Sequence, residues 1–343
     1  MQFNAAVLRA ANTPLLIEEI DSDELVYGQV LVDILYSSVC RSQLMEFNGL
    51  RGEDTWLPHL LGHEGFGKVV EVGPGVTKVS KGSNVVVGWI SGEGLSATPP
   101  NLIDVHGNKV NAGLCTTFST MSIVAENRVY LAPEGFRDEF LPLFGCSLLT
   151  GGIAALNSFN PIKHINTLIL GFGGVGSSAA VILESIGAKN IVILDSSKDR
   201  REQAKNMGFI NVFSSDSTDF KKILKEISGF DLCIESAGTS KSIELGFSYL
   251  SKFGNLVFTS HPSFGSVIQI DPFEMINGKT IVGVSGRDCK PDKDILTLAT
   301  VLLESKLNLE FMLGKTYPLE KINEAFKFLE TSSAGRPILK CSN

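Results

Sequence analysis

A glycine-rich turn that directly follows an apolar run constrains this chain more than any other feature. Thr167–Leu170 (TLIL) leads straight into the segment GFGGVG, which has the spacing GxGxxG. Glycine in such a turn lets the backbone approach a pyrophosphate closely, and the helix that follows presents free N–H groups to it. The sequence therefore predicts a dinucleotide-binding turn rather than a surface loop, made by Gly171, Gly173, Gly174, Val175 and Gly176.

An acidic residue ends the next predicted strand. Asp195 follows Ile191–Leu194 (IVIL), where a carboxylate accepts both ribose hydroxyls of NAD and repels the 2′-phosphate of NADP. The alternative is that Asp195 only caps a helix. Arg200, and Lys198 beside it, are expected to flank the adenosine ribose and to leave some tolerance for NADP. We predict NAD as the cofactor.

The pattern of elements changes along the chain after Cys146. Before it, short predicted strands separated by Gly, Pro, Asn and Ser indicate a β-rich domain, in which Gly65–Val79 is predicted as strand, turn and strand. After it, apolar strands alternate with helices, which predicts a doubly wound parallel sheet. The 343 residues favour two domains. We expect 1–148 and 287–343 to form one domain and 149–286 the nucleotide-binding domain.

Composition excludes several classes of partner. The formal net charge is −7 and no long block of like charge occurs, which disfavours nucleic acid and anionic membrane surfaces. No apolar stretch is long enough for a membrane span or a signal peptide. The six cysteines include no CxxC pair and are too sparse for a disulfide scaffold. We expect a cytoplasmic protein.

Two cysteines and a histidine are candidate metal ligands. Cys40, His63 in Gly62-His63-Glu64, and Cys146 supply two thiolates and one imidazole, which zinc accepts readily. A catalytic zinc keeps three protein ligands and one open position, which polarises an alcohol oxygen. Spacing alone supports this weakly, because a single buried cysteine is more often structural.

Several motifs, in order along nearly the whole chain, resemble the zinc-dependent medium-chain alcohol dehydrogenases. They are Val39-Cys40-Arg41-Ser42, GHEGFGKVVEVGPGVTKV, Thr116–Val124 (TTFSTMSIV), Phe144-Gly145-Cys146-Ser147 and GFGGVG. The resemblance implies an α/β chain with a β-rich GroES-like catalytic domain and a Rossmann nucleotide domain. It implies hydride transfer between an alcohol and NAD.

The resemblance also implies a role for each matching residue at the metal. Cys40, His63 and Cys146 would hold the catalytic zinc. Glu64 would lie beside it as an alternate ligand, or would instead pair with an arginine or a backbone group.

Three further residues receive roles in the same way. Ser42 would bind the substrate hydroxyl and begin a proton relay. Arg41 would contact the cofactor pyrophosphate, unless it is a surface cation. Trp89 would line the substrate pocket, unless it belongs to the core.

Three departures from the family pattern qualify these expectations. The segment Gly88–Leu114, where the family often has four cysteines, has none, and Cys115 stands alone after it. We therefore predict one catalytic zinc and no structural zinc. Met45 occupies the position of a histidine that often continues the relay. Gln43 replaces an acid that supports the zinc-bound histidine.

Two alternative functions and several details stay open. The alternatives are a zinc-free, NADPH-linked quinone or enone reductase and a nucleotide-binding sensor without turnover. The polar, glycine-rich segment Gly88–Leu114 is expected to rim the pocket and hints at a polyol or sugar substrate. A homodimer or homotetramer is expected, with Val282–Ser285 as a strand edge that pairs across a two-fold axis.

Overall fold

The computed structural model describes residues 1–157, 165–188, 190–286, 288–331 and 335–342. The predicted domain boundary at residue 287 lies outside these described residues. Within them, no helix has both the length and the apolar character that crossing a membrane requires.

The chain begins with many short strands and one short helix, as the sequence predicts. In order they are β1 Gln2–Leu8, β2 Leu16–Ser22, β3 Gln29–Ser38, α1 Arg41–Phe47, β4 His59–Leu60, β5 Glu64–Val72, β6 Asn84–Gly88, β7 Leu102–Asp104, β8 Lys109–Val110, β9 Met121–Ala125 and β10 Val129–Leu131. A 3₁₀ turn, Leu141–Gly145, then leads through Cys146 into α2, Ser147–Asn157.

The second part alternates strands with helices. It contains β11 Asn166–Leu170, α3 Gly174–Ser185, β12 Asn190–Leu194, α4 Lys198–Met207, β13 Val212–Phe213, α5 Thr218–Ile227, β14 Phe230–Glu235, α6 Ser240–Ser248, β15 Leu250–Phe258, α7 Pro272–Ile276, β16 Thr280–Gly283 and α8 Pro291–Leu303. The chain closes with β17 Leu313–Pro318, α9 Ile322–Thr331 and β18 Arg336–Lys340.

The six strands β11–β16 form one parallel sheet in the order β13-β12-β11-β14-β15-β16. This order reverses direction between β11 and β14, which is the arrangement of a dinucleotide-binding fold. Ligands in such sheets bind at the carboxyl ends of the strands, where the order reverses. The predicted Rossmann architecture is confirmed, and the crevice lies beside the turn after β11.

The remaining strands form two sheets, β4-β1-β2-β7-β8 and a larger sheet with the order β10-β6-β5-β3-β18-β17, in which β9 also pairs with β3. β18 runs antiparallel to β3 with Ile338 opposite Ser38. The end of the chain is therefore part of the same sheet as its beginning, and the residues just before β18 lie next to those just after β3.

The sequence prediction for Gly65–Val79 is half right. β5 ends at Val72, but no strand follows the turn. The backbone N–H groups of Thr77 and Lys78 both donate to Oε1 of Glu126, each at 2.6 Å. Since a side-chain carboxylate satisfies these donors, the segment stays a loop and the next strand begins only at Asn84.

The prediction for Gly88–Leu114 as the pocket rim is wrong for most of its length. Leu102 and Val110, in β7 and β8, are almost fully buried at the edge of the smaller sheet. Asp104 pairs with Arg9 at 2.7 Å. Trp89 is the one residue of this segment that lines the catalytic cavity described below. The expectation of a polyol or sugar substrate rested on this segment forming the pocket rim, so the structure gives it no support.

Candidate active site

The glycine-rich turn after β11 has no room for side chains at its two ends. Gly171 has φ +91°, and a Cβ there would lie 2.7 Å from the backbone N of Ala237. A Cβ on Gly176 would lie 1.9 Å from the carbonyl oxygen of Gly171. Gly173 is the N-cap of α3, which begins at Gly174. The free N–H groups of the first turn of α3 therefore face the crevice.

Asp195 is fixed at the end of β12 by two backbone donors. Its Oδ2 accepts from Phe172 N at 2.7 Å and its Oδ1 from Ser197 N at 2.8 Å. Arg200 places Nη1 3.6 Å from Oδ2. Ser197, rather than Asp195, is the residue that caps α4 through its side chain. These hydrogen bonds fix the carboxylate of Asp195 beside the glycine-rich turn.

Two adjoining cavities follow the turn, and Arg41 and Arg200 line both. The first also contains Gly173, Gly174 and Val175. The second contains Gly171 and Asp195, together with Lys241, which the sequence did not single out. Burial and then the charge of Arg200 lower the pKa of Arg41 from its ordinary value. The arrangement suits a ligand with a pyrophosphate near the glycines and a ribose near Asp195.

The four predicted metal-site residues converge from separate elements. Cys40 is the N-cap of α1, His63 directly precedes β5, Glu64 begins β5, and Cys146 follows the 3₁₀ turn. One ligand atom from each lies within 4.8 Å of the others. A Cβ on Gly145 would lie 3.0 Å from the Cα of Glu64, so glycine before Cys146 lets the two segments approach.

The group is rich in negative charge. A shared hydrogen bond lowers the pKa of Cys40 well below its ordinary value and raises the pKa of Cys146. Burial raises the pKa of Glu64, while Arg336 opposes that rise. If Cys40, Cys146 and Glu64 all ionise, they carry three negative charges. Arg336 balances one of these charges and a divalent cation balances the other two. Two thiolates and an imidazole are the donors that zinc prefers, so the residues fit this metal.

The Nε2 atom of His63 is buried and has no nitrogen or oxygen partner among the described residues. Its Nδ1 contacts Nε2 of Gln43, whose Oε1 accepts the backbone N–H of Cys40 at 2.9 Å. Gln43 therefore connects two of the candidate ligands. A metal on Nε2 of His63 would give this buried nitrogen a partner beside the Cys40 side chain, which is a second sign of fit.

A third cavity, of about 290 Å³, lies over the cysteines. Cys40, His63 and Cys146 form its floor, and Ser42, Trp89 and Val175 are among its walls. The Oγ of Ser42 is buried without a hydrogen-bond partner among the described residues. Val175 also lines the first cofactor cavity, so the two cavities meet at this residue.

Sequence reasoning missed Arg336, which is buried and precedes the final apolar run. Its Nη1 lies 3.6 Å from Oε1 of Glu64 and donates to the carbonyl of Val39 at 3.2 Å. A Cβ on Gly174 would meet its guanidinium at 2.5 Å. Arg336 thus connects the metal group with the glycine-rich turn. The pairing of β18 with β3 brings Arg336 to this position, and no local sequence pattern predicts that pairing.

Comparisons with known proteins agree with this geometry. A family model described as zinc-binding dehydrogenase matches residues 174–302, and one described as alcohol dehydrogenase GroES-like domain matches residues 27–134. Alcohol dehydrogenase class-3 from Myxine glutinosa is 26% identical, over 98% of this chain and 97% of that protein. S-(hydroxymethyl)glutathione dehydrogenase from Paracoccus denitrificans is 24% identical, over 99% of this chain and 100% of that protein.

Solved structures agree as well. An alcohol dehydrogenase zinc-binding domain protein from Burkholderia ambifaria superposes with a TM-score of 0.90 at 26% identity, covering 100% of both chains. Benzyl alcohol dehydrogenase from Acinetobacter calcoaceticus gives a TM-score of 0.88 at 25% identity, again over 100% of both chains.

This chain belongs to the zinc-dependent medium-chain alcohol dehydrogenases. It is an oxidoreductase that acts on alcohols, and zinc and a nicotinamide dinucleotide are the family's cofactors. The zinc-free reductase and the sensor without turnover are not favoured by these relatives.

Proposed function

We propose that this protein is an NAD-dependent alcohol dehydrogenase in which Cys40, His63 and Cys146 hold one catalytic zinc. The observation that carries the proposal is the convergence of these residues, with Glu64, at the floor of a cavity that adjoins the glycine-rich crevice. Glu64 lies close enough to serve as an alternate ligand while it also pairs with Arg336.

When bound, zinc supplies a Lewis acid at the alcohol oxygen and NAD supplies the hydride acceptor. Ser42 would hydrogen-bond the substrate hydroxyl and relay its proton, taking it up while passing its own proton to the ribose hydroxyls of the cofactor and on to water. This role is supported by its position in the cavity wall and by its buried Oγ, which has no hydrogen-bond partner among the described residues. Arg41 and the N-terminus of α3 would hold the pyrophosphate, and Asp195 would accept the ribose hydroxyls. Trp89 helps to exclude water from the cavity.

The experiment that tests this function is a panel of alcohols, diols, polyols and sugars with NAD, followed by NADH fluorescence. At least one should be oxidised at a rate that depends on enzyme concentration. Reduction of quinones with NADPH in the absence of any alcohol oxidation would contradict the proposal.

Metal analysis should find one zinc per chain in purified, dialysed protein. A structural zinc needs four ligands in a closed tetrahedral site. All six cysteines are described, and only Cys40 and Cys146 belong to a group able to hold a metal. Burial raises the pKa of the Cys115 thiol to about 12, so this residue is inert alone. Elemental analysis by mass spectrometry measures the number of zinc ions per chain.

A value of two zincs would contradict the proposed stoichiometry. The place to look would be Glu46, Asp54 and His59, whose ligand atoms also lie within 4.8 Å of one another. His59 Nε2 already lies 2.8 Å from Oδ2 of Asp54, which is why we assign no metal there. His59→Ala would lower the ratio from two to one if this group held the second ion. A value of zero in an active enzyme would favour the quinone reductase.

NAD should be preferred over NADP by about tenfold or more in kcat/KM. A pair of unit charges 4 Å apart at an effective dielectric of ~20 costs about 4 kcal/mol, which Asp195 would impose on a 2′-phosphate. Arg41, Arg200 and Lys241 in the same cavity offset part of it. Asp195→Ala and Asp195→Asn should both lower the ratio of kcat/KM with NAD to kcat/KM with NADP. The asparagine variant keeps an acceptor for Phe172 N. Equal or better use of NADP by the wild type would refute the assignment.

We also propose a homodimer or homotetramer, with the edge of β16 in an interface. Val282 in β16 is 46% exposed, and Phe264, Phe273 and Ile276 expose apolar side chains within the same stretch of chain. Such surfaces mark association sites. Light scattering should give a molecular mass of at least twice that of one chain. In Val282→Asp this mass should fall toward that of a single chain. A monomeric wild type would contradict the proposal.

We propose the domain division 1–148 with 287–343, and 149–286. It is supported by β18 pairing with β3 and by the parallel sheet falling within 166–283. Hydrogen exchange measured with and without NAD tests this division. The increase in protection caused by NAD should be concentrated in residues 149–286, and an equal increase in both parts would contradict the division.

A cytoplasmic location is proposed because all six cysteines are free thiols. Fractionation with antibody detection tests this, and recovery in a secreted fraction would overturn it.

A further inference from the structure

Two nitrogen-rich side chains, those of Arg51 and His261, line the wall of the catalytic cavity. Arg51 lies in the loop after α1, and His261 lies in the loop after β15. Both line the same cavity as Ser42 and Trp89. Among the described residues that line it, none is an aspartate or a glutamate, so a permanent cation faces the substrate space without a carboxylate in that wall.

The two loops are held in place from different parts of the chain. Phe264 N donates to the carbonyl of Leu50 at 3.1 Å, and the ring of Phe264 covers Gly52. On the other side, Ser260 donates to the carboxylate of buried Glu235. Arg51 follows Leu50 and His261 follows Ser260 along the chain, so each lies next to a residue that is held by one of these hydrogen bonds.

The guanidinium of Arg51 retains free donors. Its one charged partner among the described residues is Glu46, at 3.6 Å from Nη1, which is longer than a hydrogen bond. Burial and then the charge of Arg51 lower the pKa of His261, so the charge of Arg51 reaches the imidazole. The two residues therefore offer a guanidinium and an imidazole N–H to the same cavity.

We propose that Arg51 and His261 form a subsite for a carboxylate at the far end of the substrate. The substrate class is then an alcohol or aldehyde that also carries a carboxylate, a hydroxy acid or its oxo acid, and not a neutral polyol. The planar guanidinium matches a carboxylate through two parallel hydrogen bonds, and the imidazole N–H adds a third donor. The inference rests on the proposed dehydrogenase function, whose cavity it completes.

Turnover of matched substrates tests this subsite. The series consists of ω-hydroxy carboxylates of increasing chain length, their amides, and the corresponding ω-hydroxyalkyl phosphates. At the best chain length, kcat/KM for the carboxylate should exceed that for the amide by about tenfold or more, mainly through a lower KM. In Arg51→Gln this ratio should fall toward one, and His261→Gln should lower it less.

Arg137→Gln is the matched control. Arg137 is an exposed arginine that pairs with Glu310 on the surface and lines none of the cavities described above. The control should keep the wild-type ratio. Equal kcat/KM for carboxylate and amide in the wild type would overturn the proposal, as would an equal loss for both substrates in Arg51→Gln. A preference for the phosphate over the carboxylate would overturn the choice of carboxylate.

Binding without turnover separates this proposal from the dehydrogenase function. The chain has two tryptophans, and in Trp56→Phe the remaining Trp89 reports on the cavity by fluorescence. A linear dicarboxylate should quench or shift this signal, and Arg51→Gln should weaken its binding by about tenfold. Such binding without oxidation of any alcohol would overturn the dehydrogenase and keep the subsite. Oxidation of alcohols without carboxylate binding would overturn the subsite alone.

Discussion

Cys146→Ala is expected to lose both bound zinc and alcohol oxidation, with kcat/KM falling by about a thousandfold or more. The variant removes one of two thiolates from a group whose ligand atoms lie within 4.8 Å of one another. A Lewis acid contributes several kcal/mol to the stabilisation of transition-state charge, and each ~1.4 kcal/mol is a factor of ten in rate. Metal content and turnover are measured on the same sample.

Cys341→Ala is the matched control for this variant. Cys341 is a buried thiol that follows β18 and belongs to no metal-binding group among the described residues. It should keep its zinc and its activity. Circular dichroism should show a folded protein in both variants, because the parallel sheet has its own core. Zinc that survives Cys146→Ala in unchanged amount would show that another residue, with Glu64 the nearest candidate, is the third ligand.

Ser42→Ala is expected to lower the rate of alcohol oxidation by about a hundredfold or more, because it removes the hydroxyl that begins the proposed proton relay. Ser42 lines the catalytic cavity, and its buried Oγ has no hydrogen-bond partner among the described residues. Met45 carries no group that could replace it. Ser42→Thr should keep much of the activity, since the hydroxyl survives. Steady-state kinetics across pH measures both.

The control for Ser42 is Ser248→Ala, in which an exposed helical serine loses only a bond to the carbonyl of Leu245. It should leave the rate unchanged. If Ser42→Ala stays within about a factor of three of the wild type, the proton does not leave through this hydroxyl.

The sequence predicts well those features that local chemistry specifies. The turn after β11 is readable because only glycine fits at Gly171 and Gly176, where backbone approaches within 3 Å of a Cβ. Cys40, His63 and Cys146 are readable because each lies in a motif whose order along the chain resembles a family. Where a tertiary contact overrides the local pattern, prediction fails: Glu126 binds the backbone of Thr77 and Lys78 and removes a predicted strand.

Features that depend on distant parts of the chain are not readable from one sequence. Arg336 reaches Glu64 because β18 pairs with β3. Arg51 and His261 share a cavity because Phe264 hydrogen-bonds to Leu50. In both cases the residues carry no periodicity or spacing that links them.

Cys40, Arg41 and Ser42 are consecutive at the start of one short helix, yet they face the metal group, the cofactor crevice and the substrate cavity respectively. A displacement of this single turn therefore changes three binding equilibria at once. If binding at one site displaces this turn, the free energy of metal binding is coupled to that of dinucleotide binding, and the coupling is reciprocal. Whatever factor metal removal takes from cofactor affinity, cofactor removal must take from metal affinity. With such coupling, a protein that has lost its zinc would also bind its dinucleotide with a different affinity.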